Sequence, residues 1–320
     1  MVKLYRPEGG YLESAQNKEH LASPAALERA MNMGATVEGV VTLCDENMRL
    51  HVDLGCAEGI IEADEAIWCR EGEKQKDIAV ITRVGKAVAC KITGLENRCG
   101  RLIARLSRKA AQRECMSEYL SHLSPGDLLA AKVTHLEPFG AFLDIGCGIS
   151  SLLSVDCISV SRISHPRDRL RVGMELPVAV KCIQKEAERI YVTLKELLGT
   201  WEENAVSFEA GQTVTGVIRS VETYGVFVEL APNLAGLAEV REKEIEELRG
   251  KIGQSVAVYI KSIVPERMKI KLVLIDAASA QTLPPSPMRF FITPEKASHL
   301  SRWQYSPALC PKTVVTVFGE

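Results

Sequence analysis

The sequence predicts a mainly β chain: three small closed β-barrels in tandem, joined by short helices. Three observations predict it. Short runs of alternating apolar and polar residues are bounded by glycine and proline, the pattern of strands in a small barrel. One such unit, Pro125 to Leu194, recurs downstream with its aromatic, glycine and basic residues at matched places, and upstream in a degraded form. The intervals between units carry apolar residues at helical spacing.

Residues 1–33 read as an N-terminal helical extension. Ser23 suits an N-cap and Pro24 a first helical position, and Ala26, Leu27, Ala30 and Met31 share one face before Gly34 ends the helix. That face fits either packing on the first barrel or binding a partner. Residues 34–106 form the degraded first repeat. The alternation from Gly34 to Val41 matches Gly126 to Val133, and Val52 to Gly55 matches Leu143 to Gly146. Met48 and His51 stand where the second repeat has aromatics, which predicts weak ligand binding or protein docking. The repeat ends in a basic run, Arg98, Arg101, Arg105, Arg108 and Lys109. Such a run is either a solvated face or a phosphate contact.

Residues 107–123 are a helical linker, with Ala111, Cys115, Tyr119, Leu120 and Leu123 on one stripe. The second repeat, 124–195, opens on a strand from Leu128 to Leu136 and turns through Phe139, Gly140 and Ala141 to Phe142. Gly140 there allows either an unusual backbone angle or a close approach of another backbone. Arg162, His165, Arg167, Arg169 and Arg171 fall in one loop with Asp168 as its only acid, which fits a phosphate guide or a solvated loop equally.

Residues 196–209 read as a second helical linker, with Trp201 packed between modules. The third repeat, 210–276, holds Tyr224, Gly225 and Phe227 at the same spacing as Phe139, Gly140 and Phe142. Further on, Gly253, Lys261 and Lys269 repeat Gly173, Lys181 and Arg189, after one shorter loop. Residues 277–320 form a C-terminal extension that starts at a stiff segment, Pro284, Pro285, Ser286 and Pro287. Its Phe290, Phe291, Trp303 and Tyr305 fit a hairpin on the third barrel or a docking tail.

Two aromatics flanking a glycine, with basic residues on later strands, make a face on which bases can stack. The formal net charge of −2 and pI near 6.4 give no general attraction to a polyanion, so any binding rests on local patches and is salt-sensitive. Ten cysteines lie scattered without a Cys-x-x-Cys pair, which argues against zinc and for small buried residues in a reducing cytoplasm. No run approaches the ~20 apolar residues of a membrane span, and no secretory leader is expected. The chain carries no Gly-x-x-x-x-Gly-Lys loop, no Gly-x-Ser-x-Gly and no His-Glu-x-x-His, so no enzyme and no cofactor are expected. Gly146, Cys147 and Gly148 read as a turn at a strand end.

The ordered features from Pro125 to Leu194 resemble the S1-type RNA-binding motif, a five-stranded OB-fold module, and the resemblance extends over residues 34–276. It implies that Phe139 and Phe142, and by repetition Tyr224 and Phe227, stack bases on the ligand face. It also implies that Lys181, Arg189, Lys261 and Lys269 contact phosphates, with Arg219 adding a charge on the first strand. Ser154 and Glu239 stand where the family often has His, and Gln184 and Pro265 where it has Asp. Glu242, Glu244, Glu246 and Glu247 put acid where the second repeat has arginines, which predicts weaker binding by the third. The implied partner is single-stranded RNA, specifically mRNA on the 30S ribosomal subunit. The alternatives are a protein-interaction scaffold built from the same repeats, or an accessory protein of RNA decay or regulation.

Overall fold

A computed structural model describes residues 5–69, 72, 75–184, 188–275 and 288–319. In chain order, α1 (Ala15–Leu21) and α2 (Pro24–Asn32) precede the first barrel, which comprises β1 (Thr36–Cys44), β2 (Leu50–Asp53), β3 (Glu58–Ile61), α3 (Asp77–Ile81), β4 (Ala87–Arg98) and β5 (Arg101–Ser107). Helix α4 (Arg108–Glu118) leads to the second barrel, of β6 (Leu128–Glu137), β7 (Gly140–Asp144), β8 (Ser150–Ser154), β9 (Glu175–Gln184) and β10 (Arg189–Thr193). After α5 (Trp201–Ala205) comes the third, of β11 (Thr213–Glu222), β12 (Gly225–Ala231), β13 (Leu234–Ala238), α6 (Glu242–Arg249), β14 (Ser255–Val264) and β15 (Lys269–Leu274). A hairpin of β16 (Arg302–Gln304) and β17 (Val315–Val317) follows. Each barrel is closed and five-stranded, with its third strand pairing in parallel with its fifth, so the expected mainly β, three-barrel architecture is present.

A small barrel closes only if its first strand bends from one sheet face to the other. Each first strand does so by a register shift at the same place: Val41/Leu43, Val133/His135 and Ile218/Ser220. The second strand of the later barrels then starts at a glycine pressed onto the third strand. A Cβ on Gly140 would lie 2.5 Å from the Leu153 carbonyl oxygen, and one on Gly225 would lie 2.6 Å from that of Ala238. Of the two readings of Gly140, close backbone approach is therefore the one the fold uses. Inward positions alternate as expected, with Val133, Leu143, Leu153, Val178 and Val192 filling the second barrel.

The flanking segments lock the barrels together. Ser23 caps α2, its hydroxyl accepting from Ala26 N at 3.2 Å, and Leu27 and Ala30 enter the first core. Helix α1, which the sequence pattern did not indicate, is held by Asn17, whose side chain bonds the Glu38 backbone N–H and carbonyl at 2.9 Å each. Helix α4 buries Ala111 and Cys115 between the first two barrels. Its Arg108 is equally buried, bound to the Glu8 carboxylate at 2.6 and 3.0 Å, so this member of the basic run is structural. Arg98 and Arg105 pair with Glu96 on the same barrel.

Between the second and third barrels, Trp201 is buried against Trp303 and Tyr305 of the C-terminal segment. The Tyr305 hydroxyl donates to the Asn233 carbonyl. Residues 298–300 bond the backbone at the start of β6, and Phe318 packs on Leu128 and Leu197. The extension is thus a hairpin that clasps two barrels. The proline segment 284–287 lies outside the described residues.

Candidate nucleic-acid interface

The register of the second barrel builds one outward row across four strands. His135 of β6 faces Phe142 of β7, Phe142 faces Leu152 of β8, and Leu152 faces Tyr191 of β10. The rings of His135 and Phe142 lie 6.4 Å apart and nearly parallel. Phe139 stands edge-on to Phe142 with centroids 6.1 Å apart, and 55% of its surface is exposed. A groove of about 280 Å³ runs beside this row, lined by Phe142, Ser150, Ser151, Leu152, Arg189 and Tyr191 among others. The fold therefore brings Phe139, Phe142 and Arg189 together. An apolar ring left this exposed, beside a cation, suits a flat aromatic ligand with a charged backbone.

His135 and Tyr191 extend the set beyond the residues that sequence reasoning picked. Tyr191 carries a visible signal, since it lies two residues after Arg189 and so points the same way on one strand. His135 had no such signal, because the register shift after Val133 decides which face it takes. Its Nε2 lies 2.7 Å from Glu137 Oε1.

The third barrel repeats the frame with different chemistry. Tyr224 is 61% exposed and edge-on to Phe227, with centroids 6.2 Å apart. The row runs Ser220, Phe227, Leu237 and Lys271, so serine replaces His135 and lysine replaces Tyr191. Lys269, two residues before Lys271, takes the place of Arg189, and both lysines are exposed. Lys261 is also exposed, on β14 beyond β15.

In the first barrel the row is Leu43, His51, Ile60 and Arg105. His51 is held between carboxylates, 2.7 Å from Glu58 and 3.5 Å from Asp45. Burial works to raise the Asp45 carboxyl, but hydrogen bonds from Arg49, Asn47 and His51 outweigh it and bring it down to about 2, so Asp45 stays ionised and paired with Arg49. Met48 packs partly buried on the barrel core. No stacking surface forms there among the described residues.

Two positions differ from the sequence-based set. Arg219 is not a surface cation. It occupies the bend of β11, 9% exposed, with Nε 3.0 Å from Glu229 Oε2 and Nη1 3.5 Å from Asp168. Neutralised and enclosed, it belongs to the joint between barrels and leaves the candidate set. Arg169 of the arginine loop binds the same Glu229 carboxylate and is equally enclosed. Lys181 lies on β9, beyond β10 from the aromatic row, with Nζ 3.0 Å from Cys157 Sγ. That contact raises its pKa, so it carries its charge to the flank of the groove rather than to its floor. Cys147 is a buried turn residue with φ of 48°. A hydrogen bond with Cys115 and burial push its thiol pKa far up, which removes it as a nucleophile.

Residues 123–195 match the family model of the S1 RNA binding domain. The chain is similar to small ribosomal subunit protein bS1 of Staphylococcus haemolyticus, 33% identical over 59% of this chain and 50% of that protein. It is 29% identical to bS1 of Staphylococcus aureus strain COL over 82% of this chain and 67% of that protein. It thus spans half the length of the first of these relatives. A solved multidomain protein with nucleic acid binding domains from Streptococcus pneumoniae aligns over 77% of this chain and 74% of its own at 13% identity, with a TM-score of 0.24, too loose a likeness to extend to function. The chain thus holds an S1 RNA binding domain at residues 123–195 and resembles ribosomal protein S1.

Proposed function

We propose that this protein binds single-stranded RNA on its second and third barrels and holds mRNA at the 30S ribosomal subunit, in the cytoplasm, without catalysis. One observation carries the reading. In two barrels an exposed aromatic stands edge-on to a second ring that lies in a row leading to a basic strand. Phe139, Phe142, Tyr224 and Phe227 stack bases, each worth ~1–3 kcal/mol and tolerant of base identity. Arg189 and Lys269 take adjoining phosphates, with Lys181 and Lys261 further round each barrel. Two modest sites on one chain gain from effective concentration, so a net charge of −2 is no obstacle. The ribosomal part of the reading rests on the likeness to bS1.

The acid-flanked His51 favours a second role for the first barrel, docking on protein rather than RNA. Fluorescence anisotropy with a labelled mixed-sequence single-stranded RNA, a duplex competitor and two salt concentrations tests the main reading. Salt-sensitive binding that the duplex fails to displace is the expected result. Absence of binding at low salt would leave the interaction scaffold as the better account.

A further inference from the structure

Where the first two barrels meet, a cleft of about 510 Å³ opens, lined by Trp68, Gln75, Lys76, Arg83, Arg108 and Gln112 and bordered by Ser150. Among the described residues its wall carries more cations than acids. The Glu8 carboxylate is taken by Arg108 at 2.6 and 3.0 Å, and the acid paired with Arg83 is the same Glu8, at 3.7 Å. Two guanidiniums therefore share one carboxylate, and Lys76 adds an exposed cation. Asp144 lies near both arginines, but its oxygens are taken by the backbone N–H groups of Glu8, Gly146 and Gly148 at 2.7, 2.9 and 2.9 Å. The cations feel one another: burial and then the charge of Arg108 lower the pKa of Arg83, and burial and then Arg83 lower that of Lys86.

Arg83 Nε is, moreover, buried with no hydrogen-bond acceptor among the described residues. A buried donor left unmatched is costly, and an anionic oxygen would relieve it. Ser150 also lines the groove beside Phe142, so the two depressions adjoin.

We propose that an RNA strand seated on the aromatic row of the second barrel continues past Ser150 into this cleft, where Lys76 and Arg83 hold a backbone phosphate. This rests on the RNA-binding reading above and extends it to residues on the connection between β3 and β4, outside the strands of any barrel.

Oligoribonucleotides of about four and about twelve bases, within the range one barrel and its surroundings cover, separate the two levels in the full-length protein. Lys76→Glu and Arg83→Gln should each weaken the longer oligomer about fivefold to tenfold and leave the shorter one unchanged. Each should also lower its salt slope by about 0.7. Arg83→Lys should restore part of the loss. Lys76 is exposed, so Lys76→Glu decides the matter even if Arg83→Gln fails to fold. Weakening of the short oligomer by Phe142→Ala, with no effect of Lys76→Glu on the long one, overturns the cleft alone. A Phe142→Ala protein that binds both oligomers unchanged overturns the aromatic face and the path leading from it.

Discussion

Arg219 donates through Nε to Glu229 Oε2 at 3.0 Å, inside the third barrel, at the point where the second barrel meets it. Arg169 reaches across from the second barrel to the same carboxylate, and both arginines are nearly sealed from water. The joint is thus a buried charge cluster whose cations come from two barrels and whose shared anion comes from one.

Glu229→Ala should therefore destabilise the protein more than any surface change. Removing one partner of a buried pair strands charge in a low dielectric and costs about 3–5 kcal/mol. Urea titration should give a lower midpoint, with the third barrel melting apart from the second. A single unchanged transition would mean that the clasp of Trp201, Trp303 and Tyr305 holds the barrels without the ion pairs.

Tyr191→Ala should weaken RNA binding without loss of fold, because Tyr191 is partly exposed and lies in the row that contains Phe142. Loss of one stacked base corresponds to ~1–3 kcal/mol, measurable by anisotropy against a thermal melt as control. Phe227→Ala should cost less than Phe142→Ala, since the third barrel has Ser220 and Lys271 where the second has His135 and Tyr191. Equal losses would place the two barrels on the same footing.

Arg189→Gln should reduce the dependence of affinity on salt. One phosphate contact to a single strand contributes about 0.7 to the slope of log affinity against log salt. A Lys181→Gln protein, its cation on the flank at Cys157, should show a smaller change. The reverse order would move the phosphate path from β10 to β9.

Glu38 makes stability fall as pH rises. Its carboxylate accepts from Gly9 N at 3.1 Å and Tyr11 N at 2.9 Å, yet burial pushes the carboxyl from 4.5 up to about 7. Below the unfolded value both states hold the proton and its contribution is complete. Between 4.5 and about 7 the unfolded chain ionises while the folded one retains its proton, so the contribution is lost as pH climbs through this window. Asp144 is shifted in the same direction. Glu38→Gln should flatten the slope of unfolding free energy across that window, read by urea titration at several pH values. An unchanged slope would show that Glu38 ionises normally in the folded protein.

The barrels were legible in the sequence because alternation, glycine corners and the matched offsets of Phe139 and Tyr224 are local signals. Trp201 as a packed linker residue and Ser23 as a cap were equally plain, since each depends on near neighbours. Arg219 was misplaced because its direction is set by a register shift, which leaves no mark in the order of residues. Helix α1 was missed because its chief anchor, Asn17, bonds a strand 21 residues away. The arginine loop fitted a phosphate guide and a solvated loop equally, and neither describes Arg169, which meets an acid 60 residues on, in another barrel.

By itself, then, the sequence determined the three-barrel plan and the paired aromatics, because strand alternation and tight turns are written in neighbouring residues. Tertiary structure alone decided which cations are spent and which face outward. Arg108 and Arg169 are silenced by acids distant in the chain and Arg219 by one on the neighbouring strand, while Arg189 is set beside Phe142 by the parallel pairing of β8 with β10. A charge acts as a binding group only when its partners in space leave it one, and those partners are known only once the chain has closed on itself.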